Sequence, residues 1–260
     1  SLARADTLSV YPADVTLDHG GDFQRLVVMK VRDDGVTLDV SHQATVTLEP
    51  EGVAKLDDSR RFLPVADGEA VASVAFEGNT ATVPVHVRNV GVVPPVTFRN
   101  DVEAVLMRAG CNTGGCHGSA QGKNGFRLSL FGFDPAMDYR NLTRDVRGRR
   151  LDTAAPDESL MLLKPTGLVD HEGGTRFAKD DALYTTLRQW IAAGSPDAPA
   201  DLPTLTGVEM LPRGAVLEGE GARQAFAVVA TYSDGSTRDV TNLAILATGD
   251  YPEDYALFLD

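Results

Sequence analysis

Cysteine is nearly missing from this chain: 260 residues hold two, at positions 111 and 116. That excludes a small disulfide-stapled scaffold. Tryptophan occurs once. No apolar run is long enough to span a bilayer, so no membrane span is expected. Basic residues are in deficit, with 24 Lys and Arg against 37 Asp and Glu and a net charge of −13. This balance weighs against nucleic acid and anionic membrane surfaces as partners. No Ser-His-Asp or paired-carboxylate arrangement stands out, so the chain by itself is not expected to be an enzyme. Hydrophobic content of 43% and charged content of 23% describe a globular chain, and its length suggests about two domains at ~150 residues each. Ala3-Arg4-Ala5 before Asp6 has the form of a signal-peptide cleavage site, without the apolar core of such a signal.

Both cysteines fall in one stretch, Cys111-Asn-Thr-Gly-Gly-Cys116-His117. Two thiols with an adjacent imidazole are what covalent haem attachment needs. The thiols form thioethers, and the histidine becomes the proximal iron ligand. The common spacing is C-x-x-C-H; here four residues separate the cysteines. Gly114, Gly115 and Gly118 let the backbone turn tightly beside a flat ring. A Cys111–Cys116 disulfide is the plain alternative, but it gives no role to His117. Zinc fits poorly without a second ligand cluster.

Residues 6–92 read as short strands separated by turns. Asp34-Gly35 is a hairpin signal between Phe23–Val31 and Val36–Val40. Ala81, Val83, Val85 and Val87 share one face of a last strand, where Pro84 requires an edge or a bulge. This spacing suggests a β-sandwich. Residues 12–44 then repeat without gaps at 212–244. The matches include Pro12 and Pro212, Leu17 and Leu217, Gln24 and Gln224, Val28 and Val228, and Asp34-Gly35 and Asp234-Gly235. Asp39-Val40 and Asp239-Val240 complete the set. So long a period means two copies of a domain.

Between the copies the texture changes. Val92-Val-Pro-Pro95 is a stiff linker. Asn100 is expected to cap a helix with Glu103 as capping-box partner, and Val102, Val105, Leu106 and Ala109 follow at helical spacing. Gly110 ends it. Pro156 opens a short helix carrying Leu160, Leu162 and Leu163, and Pro165 stops it. A final helix starts near Asp180 or Asp181 and places Leu183, Tyr184, Leu187, Trp190 and Ile191 on one face.

The strand 228–232, Ser233-Asp-Gly-Ser-Thr and Asp239-Val-Thr resemble bacterial Ig-like domains of group 2. Phe98-Arg-Asn-Asp-Val, Gly110 to Gly118, Gly122-Lys-Asn-Gly-Phe126, Lys164-Pro-Thr-Gly167, His171-Glu-Gly-Gly174 and Leu187-Arg-Gln-Trp-Ile191 resemble planctomycete-type cytochrome c domains. The resemblance covers about residues 97–199 and implies a mainly helical, class I-like cytochrome in which the first and last helices cross. The expected architecture is an Ig-like β-sandwich over 1–95, a c-type cytochrome domain over 96–200, and a second, incomplete Ig-like segment over 201–260. The expected function is electron transfer by an exported monohaem cytochrome, periplasmic or extracellular, serving a redox partner protein. Whether it belongs to a larger enzyme is open.

Cys111 and Cys116 would hold one haem c, with His117 and His171 as axial ligands. Related domains have Met-Pro-Pro where this chain has Asp170-His-Glu-Gly-Gly174, and Met161 is the runner-up for the sixth position. Arg149, Arg150 and Arg176 are candidate partners for the haem propionates. Two rivals are a structural or adhesive Ig-like array with a disulfide and no haem, and an enzyme or gas sensor with an open sixth site. The segment 201–260 has too few strands for a sandwich. Completion by further chain, or self-assembly through strand donation, is expected.

Overall fold

The computed structural model describes residues 6–246. The Ala3-Arg4-Ala5 signal and the stretch 251–260 lie outside the described residues. Among these residues, those within Ser1–Pro94 and Pro203–Asn242 form one compact unit, and those within Pro95–Leu202 and Leu243–Asp260 form a second. No helix of the described residues is long and apolar enough to cross a membrane.

In the first unit, β1 (Thr7–Tyr11), β4 (Val27–Val31) and β5 (Thr37–Asp39) form one sheet. A second sheet has the order β2 (Val15–Leu17), β10 (Asn79–Val87), β9 (Gly68–Phe76), β6 (Thr45–Glu49). A small third sheet joins β3 (Gln24–Arg25), β8 (Arg61–Pro64) and β7 (Ala54–Leu56). Alternation along the strands buries Val15, Leu17, Val28, Phe62, Val74, Val83 and Val85 in one core. Each such side chain contributes about 1.5–3 kcal/mol on leaving water. Pro84 is tolerated because β2 pairs with β10 only along Val85–Val87. At Pro84 itself β10 is locally an edge, paired on one side through Val71 of β9.

The repeat is carried into three dimensions at an offset of 200. Strands β11 (Leu205–Leu211), β12 (Ala227–Tyr232) and β13 (Thr237–Asp239) form a sheet of the same order as β1-β4-β5. The register is conserved too. Ser9 pairs with Met29 and Met29 with Asp39, as Glu209 pairs with Val229 and Val229 with Asp239. The two copies also clasp each other reciprocally. The Arg25 amide donates to Asp239 Oδ2 at 2.8 Å, and the Ala225 amide, at the position equivalent to 25, donates to Asp39 Oδ2 at 2.7 Å. The remaining oxygen of each aspartate serves its own copy. Asp39 accepts from Ser41 and Asp239 from Thr241, and those hydroxyls accept from the Val28 and Val228 amides. A backbone bond of 2.8 Å from the Thr37 amide to the Val216 carbonyl, and a bond of 2.9 Å from the Val216 amide to the Thr37 hydroxyl, extend the clasp.

The second unit is built on short helices: α1 (Glu103–Arg108), α2 (Pro135–Thr143), α3 (Leu160–Leu163) and α4 (Ala182–Ala192). The class I-like, mainly helical expectation is overturned here. Helix makes up 19% of the chain and strand 27%. Among the described residues, only α4, with 11 residues, exceeds ten. Prolines at 135, 156 and 165 and left-handed glycines at 110, 132, 148 and 167 interrupt the chain too often for long crossing helices. A π-helical turn, Phe98–Val102, precedes α1. Its cap corrects the expected Asn100–Glu103 box. Thr97 is extended and its hydroxyl accepts from the Asn100 amide, while Asp101 accepts from the Thr97 amide and hydroxyl at 2.7 and 2.8 Å. Glu103 instead points inward.

Asp181 caps α4 through the Leu183 amide at 2.8 Å. The face Leu183, Tyr184, Leu187, Trp190 and Ile191 packs with Phe98, Val102, Val105, Leu106 and Leu162. The Trp190 indole N–H is satisfied by the Pro196 carbonyl at 2.9 Å. Met161 is 6% exposed within this same core, which gives it an ordinary packing role.

Candidate functional site

Gly110, at φ +72°, ends α1 and turns the chain into the cysteine loop. The loop is wound on itself. The Cys111 amide bonds back to Leu106, Cys116 to Thr113, and the His117 amide to the Cys111 carbonyl at 2.9 Å. Gly118 is required by this winding, since a Cβ there would lie 2.0 Å from the Asn112 carbonyl oxygen. Gly115 meets nothing within 4 Å. Both thiols are free. Burial pushes the Cys111 thiol up to about 11, so it is not a standing thiolate nucleophile.

His117 is held by its ring. Its Nδ1 lies 3.1 Å from the Phe126 carbonyl, and its ring packs on Phe126 with centroids 4.6 Å apart. His171 is held in the same way, with Nδ1 at 2.8 Å from the Gly174 carbonyl. A carbonyl oxygen only accepts, so in both rings Nδ1 carries the proton. Nε2 is the atom each ring has to offer, the second-shell pattern of metal-binding histidines. Burial, first of all, lowers the His117 pKa, and the neighbouring His171 adds to this. Burial thus favours the neutral ring, the form in which an imidazole binds metal.

The two rings come together although 54 positions separate them in the chain (171 − 117). Their planes are within 10° of parallel and their centroids are 6.4 Å apart. Two metal–imidazole bonds of about 2.0 Å plus two ring radii of about 1.1 Å add up to roughly 6 Å. The centroid separation of these stacked rings is close to that sum. Among the described residues no three His, Cys, Asp or Glu side chains converge to hold an ion unaided.

The His171 loop is set by Gly173 and by Arg176, the latter through backbone carbonyls. A Cβ on Gly173 would stand 2.9 Å from Cε1 and 3.1 Å from Nε2 of His171, so the absence of a side chain leaves the ring its place. Arg176 ties this loop to the end of α1, donating to the Ala109 carbonyl at 2.7 Å and to the Gly173 carbonyl at 3.3 Å. Its guanidinium is thereby engaged in joining the two loops. Arg150 is engaged as well. It is 8% exposed, sits 4.3 Å over the Phe126 ring, and donates to the carbonyls of Gly125, Asn141 and Asp145. Arg149 is exposed.

Apolar side chains stand exposed in both histidine-bearing loops. Leu130, Phe131 and Phe133 follow the cysteine motif, and Leu168 and Val169 precede His171. Phe131 sits at φ +54°, a left-handed strain that an aromatic residue seldom carries. Its amide is bonded to the Asn112 carbonyl at 3.0 Å. The sequence matches no family model and no curated protein.

Proposed function

We propose that this chain carries one covalent haem c and transfers single electrons between redox partner proteins outside the cytoplasm, with its Ig-like copies as spacers. Cys111 and Cys116 are the thioether donors, His117 the proximal ligand and His171 the distal ligand. The observation that carries this reading is the parallel pair of imidazoles 6.4 Å apart, each with Nδ1 anchored to a carbonyl. The exposed apolar residues beside both histidines supply a wall for a flat apolar ring. The likeness to planctomycete-type cytochrome c domains lends further support, without the class I helical frame. When bound, the haem supplies the one-electron couple. The chain's part would be to offer two imidazoles to the iron, His117 from the cysteine loop and His171 from the second loop. An imidazole in the sixth position lowers the potential relative to methionine.

The test is protein made with c-type maturation machinery. The intact mass gains one haem, and the pyridine haemochrome is that of a thioether-linked haem. His171→Ala abolishes the six-coordinate low-spin spectrum, while Met161→Ala keeps it. Parallel ligand planes also call for a rhombic low-spin electron paramagnetic resonance signal. A mass without haem overturns the whole reading, and loss of the low-spin spectrum in Met161→Ala alone overturns the ligand assignment.

A further inference from the structure

Glu103 and Asp138 are two carboxyl groups buried together under the cysteine loop, at 7% and 0% exposure. Glu103 opens α1, and Asp138 comes from α2. Asp138 accepts from the amide and the hydroxyl of Ser129, both at 2.5 Å, which satisfies both of its oxygens as a carboxylate. Glu103 is different. Its Oε1 accepts from the Asn112 amide at 3.2 Å, while Oε2 is buried without a donor and the Asp138 carboxyl lies within hydrogen-bonding reach of the Glu103 carboxyl. Asn112 is fully buried and lies inside the attachment loop, next to Cys111. The Glu103 carboxyl also lies against Gly132, where a Cβ would be 2.7 Å from Oε1. Among the described residues, the one charged group facing Glu103 is Asp138; the Asn112 amide and the Gly132 backbone are its neutral neighbours.

Two carboxylates buried side by side do not both ionise. A proton on Glu103 Oε2 meets the need of the orphaned oxygen and relieves the charge of the pair. We infer that Glu103 is a redox-linked proton site, taking up a proton when the haem held by the neighbouring loop is reduced and releasing it on oxidation. This inference rests on the haem reading above. The balance is one electron and one proton. The electron enters from a reduced redox protein, the proton comes from water onto Glu103, and both leave on oxidation. The driving force is electrostatic, since an added positive charge in a low-dielectric interior disfavours the protonated acid. Burial, and then the Asp138 charge, raise Glu103 to about 8, inside the range where such linkage is felt.

The test uses the haem-loaded full chain. In the wild type the midpoint potential falls as pH rises between about 6 and 9. Its slope approaches a tenfold change in the redox ratio per pH unit, about 59 mV for one electron. Glu103→Gln, which keeps the shape and donates one N–H toward Asp138, flattens this dependence. Asp138→Asn removes the charge that raises Glu103 and moves the sloping window to lower pH. Redox-difference infrared spectra of the wild type show a protonated-carboxyl band gained on reduction, and Glu103→Gln lacks it. If Glu103→Gln does not fold, the wild-type band and slope decide alone. A flat wild-type potential, an absent band, or a slope kept in Glu103→Gln overturns the proton site and leaves the haem reading intact. A mass without haem overturns both.

Discussion

Gly173→Ala tests the proposed ligand role of His171 with a single methyl group. A Cβ at this position would stand 2.9 Å from Cε1 and 3.1 Å from Nε2 of His171. Carbon contacts are comfortable from about 3.5 Å, so the ring must retreat by roughly half an ångström. Gly173 is not among the left-handed residues, and alanine brings no backbone strain of its own. Global stability should therefore move by no more than about 0.5 kcal/mol. A metal–imidazole bond of about 2.0 Å does not absorb half an ångström without loss. An overpacking penalty of about 1–3 kcal/mol falls on that bond. At 1.4 kcal/mol per factor of ten, a competing ligand gains roughly 5- to 150-fold in apparent affinity. The assay is carbon monoxide titration of the reduced protein, with thermal melting run in parallel. Wild type binds weakly, Gly173→Ala binds more tightly at nearly the same melting temperature, and His171→Ala sets the limit of an open site. Unchanged binding in Gly173→Ala would refute the placement of the His171 ring as the sixth ligand.

Three further outcomes follow from the same geometry. Folding stability should fall as pH rises from about 4.5 to about 8. The unfolded chain releases the Glu103 proton at its ordinary 4.5, while the folded chain keeps it to about 8. The contribution is full below the lower value and lost above the upper one, at about 1.4 kcal/mol per unit as a ceiling; urea denaturation of the wild type and Glu103→Gln at pH 5 and 8 checks it, and the variant should vary less. Asp239→Ala leaves the amides of Arg25 and Thr241 and the Thr241 hydroxyl without their acceptor in a site 3% exposed, a cost of about 2–3 kcal/mol readable by denaturation of the first unit. Arg176→Ala releases the Ala109 and Gly173 carbonyls together, so hydrogen exchange should quicken in the cysteine loop and the His171 loop at once, and quickening in only one would refute the joint.

The repeat was legible because both copies keep their strands, their Asp-Gly turn and their register at one fixed offset. Helix α4 was legible from its apolar period and the Asp181 cap. Periodicity says nothing of which polar group reaches which, and that is where the reading fell short. Asn100 and Glu103 have capping-box spacing, yet Thr97 and Asp101 make the cap and Glu103 turns inward to Asn112. Asp138, 35 positions further on (138 − 103), has no pattern that would pair it with Glu103. The helical frame was overestimated for a related reason. A motif order shared with helical cytochromes carries no information on helix length, and here proline and left-handed glycine cut the helices short. Arg150 and Arg176 look like free cations in the sequence, but backbone carbonyls claim them.

The clasp between the two copies of the repeat is self-complementary: position 25 of each copy meets position 39 of the other. Contacts of that kind do not distinguish a copy in the same chain from a copy in the next one. Exchange between molecules therefore costs no specific contact, only the entropy of bringing two chains together. Within one chain the clasp is indifferent to dilution. In crowded solution the same chemistry admits swapped pairs, in which the first copy of one molecule holds the second copy of another. Sedimentation across a wide concentration range would show these as dimers that Asp39→Ala and Asp239→Ala each weaken.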